Sequence, residues 1–111
     1  MAYYWQGNYV DAIHNYQKSL AVFDSMGDKV GVANIQSNIG VIYFNESDDE
    51  TALDYYLKSL KTSEEAADTN RIATACINIG VVYANKSKTY NKALEYLKRA
   101  LQLSQIGRAH V

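Results

Sequence analysis

A six-residue phrase occurs twice in this chain, forty residues apart: Asn38-Ile39-Gly40-Val41-Ile42-Tyr43 and Asn78-Ile79-Gly80-Val81-Val82-Tyr83. Nine residues past the first Tyr stands Ala52-Leu53, and ten past the second stands Ala93-Leu94. Tyr3, followed by Ala12-Ile13, stands in the same relation and reads as the tail of an earlier copy. A fixed period of this size means one supersecondary unit stacked on itself, because no single unit can bury its apolar face alone.

Each unit reads as two helices. No stretch alternates with period two for long enough to make a strand, and the chain has no Pro. Residues 1–6 read as the end of a helix closed by a Gly7-Asn8 turn. Tyr9, Ala12, Ile13, Tyr16, Leu20 and Phe23 then follow the three/four spacing of an amphipathic helix over about 9–25. Asp28 is a fair N-cap for a helix carrying Val32, Ile35, Ile39, Ile42 and Tyr43 to about Asn45. Residues 46–50 form an acidic turn and helix start, where negative charge suits the helix dipole. Ala52, Leu53, Tyr56, Leu57 and Leu60 carry the next helix to about Ala67. Asp68-Thr69-Asn70 opens another, through Ile72, Cys76, Ile79 and Tyr83 to about Lys86. Residues 87–90 make a turn one residue longer than its counterpart, and Ala93, Leu94, Leu97 and Leu101 define a last helix to about Ser104.

The expected fold is all-α: an α-solenoid of antiparallel helix pairs with about two and a half repeats, divided as 1–26, 28–67 and 68–105. Gly40 and Gly80 fall mid-helix, where Gly costs about 1 kcal/mol against Ala. Recurrence of that cost at one register points to a close helix crossing, faced by Ala12, Ala52 and Ala93 of the partner helices.

Composition excludes several functions. Lys and Arg number 11 against 12 Asp and Glu, so no overall field draws the chain to nucleic acid or an anionic membrane. No apolar run approaches the roughly 20 residues that span a bilayer. The start lacks the basic and apolar regions of a signal peptide, which leans towards the cytoplasm if Met1 is the true start; the compartment is otherwise open. Cys76 is the only cysteine, and its spacing to Ile72 and Ile79 makes it a buried, inert thiol. His14 lies on the polar side of its helix, and no His/Cys cluster has metal spacing. There is no Gly-rich phosphate loop. The chain is expected to be neither an enzyme nor a holder of cofactor or metal. Most of its ten Tyr recur at repeat positions on apolar faces, which favours packing over stacking on bases.

The register Ile-Gly-x-x-Tyr, then Ala, then Tyr or Leu four residues on, then Ser or Ala three beyond, resembles the tetratricopeptide repeat. It is carried by Ile39, Gly40, Tyr43, Ala52, Tyr56 and Ser59, again by Ile79, Gly80, Tyr83, Ala93, Leu97 and Ala100, and in the partial copy by Tyr3, Ala12, Tyr16 and Ser19. The basic period of that family is 34. The forty seen here, with Gly27-Asp28-Lys29 before a first helix, resembles its long-helix subtype. Such arrays occur in bacterial sensor kinases, nucleotide cyclases, MalT-like transcription regulators and kinesin light chains. The resemblance implies a right-handed superhelix and a protein or peptide partner held on the concave face of the first helices. By register that face comprises Asn34, Ser37, Asn38, Val41, Phe44 and Asn45, then Thr74, Ile77, Asn78, Val81, Ala84 and Asn85. Asn38 and Asn78 stand out, since an amide can both donate to and accept from a peptide backbone. At the positions where a chaperone-tail clamp carries Lys and Arg, this chain has Ser37, Val41, Thr74 and Asn78, which argues against a carboxylate clamp of that kind.

Residues 46–68 hold eight acids against Lys58 and Lys61, whereas residues 69–104 hold six bases against Glu95. Facing helices are expected to complement each other; a basic end docking an acidic partner is the sharper reading. The chain is expected to be part of a larger regulatory or signalling protein, with self-association through exposed solenoid ends. The alternative function is a structural spacer or oligomerisation segment with catalysis elsewhere. The final residues Ile106 to Val111 depart from the repeat and resemble the translation of a sequencing-library adapter, so 106–111 is expected to be a non-native tail.

Overall fold

The computed structural model describes residues 2–109, with side chains described over 9–106. Among the described residues there are five α-helices and no strand: α1 (Ala2–Ser25), α2 (Lys29–Asn45), α3 (Asp49–Glu65), α4 (Thr69–Ala84) and α5 (Tyr90–Ala109), with a 3-10 turn at Ser87–Thr89 before the last. Each helix packs on its sequence neighbours, most closely within the pairs α2/α3 and α4/α5, and α2 also touches α4. The result is a helical repeat solenoid. Its radius of gyration is 14.8 Å, against about 13 Å for a compact domain of this length. Its thinnest dimension, 21 Å, is two helix diameters.

The turns are built by a device with half the sequence period. Gly27, Ser47 and Ala67 adopt left-handed backbone, at φ 71°, 64° and 53°. In each case the next residue is Asp, whose N–H bonds the carbonyl five residues back: Asp28 to Phe23 at 2.9 Å, Asp48 to Tyr43 at 2.9 Å, Asp68 to Ser63 at 3.1 Å. That closes the preceding helix. The same Asp side chain then accepts from the N–H of Gly31, Thr51 or Arg71 at 2.9, 3.2 and 3.1 Å, opening the next helix. Lys88 stands where a fourth Asp would fall. There the Thr89 hydroxyl takes over, donating to the carbonyls of Tyr83 and Lys86 across the longer turn.

Two expected boundaries differ. The Gly7-Asn8 turn does not form, and α1 runs unbroken from Ala2 to Ser25. Continuing α1 keeps the backbone bonds for roughly the 1 kcal/mol that an interior Gly costs. At the other end α5 continues past Ser104 to Ala109, because no left-handed residue or Pro interrupts it. The side chains of Tyr3, Gly107, Arg108 and Ala109, together with His110 and Val111, lie outside the described residues.

The core follows the repeat phrase. Ile39 and Ile79 are fully buried, as are Ala52 and Cys76. One cluster joins Ile13, Ile35 and Ile39 across α1 and α2; another joins Ala52, Tyr56, Leu60, Ala75, Cys76, Ile79, Val82 and Ala100 across α3, α4 and α5. Tyr43 stacks on Tyr55, and Tyr83 on Tyr96, at 5.8 and 5.9 Å between ring centres. The Tyr residues of the repeat therefore pack against each other. Burial pushes the Cys76 thiol up, and the neighbouring Arg99 guanidinium only partly offsets it, which agrees with an inert thiol. The two charge blocks meet at one ion pair, Arg99 Nη2 2.7 Å from Glu64 Oε2, while Lys29 of α2, outside the basic block, puts its Nζ 3.4 Å from Glu65 Oε1. All four side chains are about half exposed, so each pair contributes about 0–1 kcal/mol.

Candidate functional site

Helices α2 and α4 are the first helices of successive units and lie side by side, so each presents one long stripe on the same side of the solenoid. Along α2 that stripe is Asn34, Ser37, Asn38, Val41 and Asn45; along α4 it is Thr74, Ile77, Asn78, Val81 and Asn85, spaced by three, four and seven as a helix face requires. Asn34, Asn38, Val41, Asn45, Thr74, Ile77, Val81 and Asn85 are exposed, and Ser37, Asn78 and Ala84 half-buried. Phe44 is half-buried too, but it packs against the cluster of α3 and α4 and so belongs in part to the core.

A hydrogen bond ties the two stripes together. Asn78 Nδ2 donates to Ser37 Oγ at 3.4 Å. At the far end Asn85 Nδ2 reaches Asp49 Oδ2 at 3.5 Å, a long contact to the start of α3 and not to the stripe of α2. Thr74 Oγ1 donates to the Asn70 carbonyl within α4. The Asn38 side-chain amide has no hydrogen bond to another of the described residues, which leaves it open to a ligand or water. Polar groups therefore alternate with the exposed Val41, at 39 %, and Ile77, at 45 %.

At the N-terminal ends of α2 and α4 the stripe deepens into a pocket of about 260 Å³, lined by Ala33, Asn34, Ser37, Ser59, Asn70, Arg71, Thr74 and Ala75. Its floor is the buried Ser59 of α3, whose hydroxyl donates to the Ala33 carbonyl at 2.9 Å. Its wall is Arg71, with Nε donating to Asn34 Oδ1 at 2.8 Å and Nη1 to Asp68 Oδ2 at 2.9 Å. Sequence analysis counted Arg71 only as part of the basic half. The signal was present: Arg71 is three residues before Thr74, one turn earlier on the same face. It was passed over because the corresponding residue of the preceding unit is Gly31, which has no side chain to show that the face extends so far. Asn70, also on the pocket lining, has Val30 as its counterpart in the preceding unit, an apolar residue that gives no sign of a polar face there.

The fold and the unit length define a helical-repeat protein. The family model of the tetratricopeptide repeat matches residues 1–65 and again 31–106, so the chain belongs to the tetratricopeptide repeat family. Such repeats are in general protein–protein interaction scaffolds and typically non-catalytic. No curated protein matches the chain significantly. Among the described residues no group of three or more His, Cys, Asp or Glu is placed to hold a metal ion, and no helix is long and apolar enough to cross a membrane.

Proposed function

We propose that this chain binds a protein segment in extended form along the face shared by α2 and α4. The observation that carries this reading is Asn38, an amide in mid-stripe without a partner among the described residues, flanked by exposed Val41, Ile77 and Val81. An extended peptide presents backbone N–H and C=O groups alternately, and an Asn amide can answer both at once. The apolar neighbours supply contact area that water leaves readily. The scaffold would serve a larger regulatory or signalling protein. The test is the paired variant Asn38→Ala with Asn78→Ala, in which helix content and thermal midpoint should hold while capture of peptides from a displayed random library drops about tenfold or more, as for two lost hydrogen bonds of about 1 kcal/mol each. Unchanged capture would remove the face from consideration.

A second reading, a spacer or self-assembly segment, has its own observation. Leu94 and Leu101 of α5 are 50 % and 59 % exposed. They stand forty-one residues after Leu53 and Leu60 of α3, which pack into the core beside α4. A face that α4 covers on α3 is thus bare on α5.

A further inference from the structure

The pocket walled by Arg71 and the apolar stretch at Val41 lie on one track, and together they describe a sequence preference. Arg71 carries five N–H donors, of which two are engaged within the protein, by Asn34 and Asp68. The carbonyl of the Asn34 amide is occupied by Arg71, so what this side chain has left to offer is its NH₂. The Ser37 hydroxyl accepts from Asn78 and keeps its own proton to give. The Asn70 side-chain amide, on the pocket lining, has no hydrogen-bond partner among the described residues. The Ser59 and Thr74 hydroxyls spend their protons on the Ala33 and Asn70 carbonyls and can only accept, but the open N–H and O–H groups of Arg71, Asn34, Ser37 and Asn70 outnumber them, which suits a ligand group that only accepts. The volume, about 260 Å³, admits the end of one side chain. Asp68 offsets part of the guanidinium charge, so the preference rests on directed hydrogen bonds more than on net field.

From Asn34 to Val41 is seven residues along α2, about 10 Å of helix axis. An extended strand covers that distance in about three residues. Resting on the peptide-binding reading above, we infer that the bound segment carries a side-chain carboxylate, Asp or Glu, in the Arg71 pocket, and an apolar side chain about three residues away over Val41, Ile77 and Val81.

Panning a phage-displayed library of random linear peptides, joined to the phage through their C-terminus, on the whole chain tests this. The recovered peptides should share an apolar residue and an acid about three positions apart. For one such peptide, measured by fluorescence polarisation, exchanging the acid for its amide should weaken binding about fivefold, the difference between a charge-assisted and a neutral hydrogen bond. On Arg71→Gln the same exchange should make no difference, with Arg71→Lys in between; Arg71 is partly exposed and its loss leaves the core intact. Peptides without an acid that still lose binding on Asn38→Ala with Asn78→Ala would leave the face reading standing and overturn the pocket. So would a penalty for acid-to-amide exchange that persists undiminished in Arg71→Gln, or binding that appears only with a free C-terminal carboxylate. A library with no binder at all would overturn both.

Discussion

A methyl group on Gly40 would sit 2.6 Å from Cε1 of Tyr56, and one on Gly80 would sit 2.8 Å from Cδ2 of Leu97. Both distances are well inside van der Waals contact, so the repeated mid-helix glycines make room for one bulky side chain of the following helix. The sequence pointed to close approach but placed it against Ala52 and Ala93. The structure shifts it one turn along, to Tyr56 and Leu97, with only the Ala93 carbonyl near the second site at 3.4 Å. Tyr56 is 3 % exposed and has little freedom to move aside. Gly40→Ala should therefore lower stability by about 1–3 kcal/mol, through overpacking that exceeds the better helix propensity of Ala. A thermal midpoint equal to or above the parent would show that the ring relaxes. At Ser63 the hydroxyl is buried with no partner among the described residues. Phe23 and Ser104 stand at the same register in the neighbouring units, counting the extra residue of the last turn, so large apolar and small polar side chains both occupy this position.

Among the elements, the turns carry most of the specification. Asp28, Asp48 and Asp68 each close one helix with a backbone N–H and open the next with a carboxylate. The residue before each must be left-handed, and only Gly27 is suited to it; Ser47 and Ala67 hold φ 64° and 53°. An L side chain in that region costs about 1–2 kcal/mol, while Gly gives back some of this through its larger unfolded-state entropy. Ala67→Gly should raise stability by about 0.5–1 kcal/mol, read as a higher midpoint in urea at constant slope. A fall would mean that contacts of the Ala67 methyl outweigh the backbone term. The stripes on α2 and α4 also belong to this scale. Their candidate contacts could be numbered from helical spacing, but which amides were free could not. Only the pairing of Asn78 with Ser37, and of Arg71 with Asn34, left Asn38 without a partner among the described residues.

For the whole molecule, the solenoid leaves a consequence at α5. Tyr90, Leu94 and Leu101 are exposed on one helix, at 59 %, 50 % and 59 %. On the proposal that this face stacks on another repeat, the chain alone should self-associate, with sedimentation giving a mean mass that rises with concentration. Leu94→Lys with Leu101→Lys should return it to a monomer with helix content unchanged. A parent that sediments as a monomer at every concentration would dismiss the self-assembly reading. Arg99 of the basic block already meets Glu64 of the acidic block within the chain.

Periodicity by itself determined the helices of the two full units, the unit length and the buried Ile39, Ile79 and Cys76, whereas the face proposed for a ligand came from the family resemblance. What periodicity determined follows from repeated local spacing, which fixes what shares one side of a helix. Tertiary structure decided what spacing cannot carry. How far α5 runs depends on what stops it, and which ring fills Gly40 depends on the crossing of two helices. The pocket at Arg71 arises in the same way. Its residues lie on α2, α3 and α4, and its donor excess exists only because Asn34 and Asp68, thirty-four residues apart, meet one guanidinium. Such contacts are a property of packing, where a difference of one ångström decides which groups are bonded and which remain open.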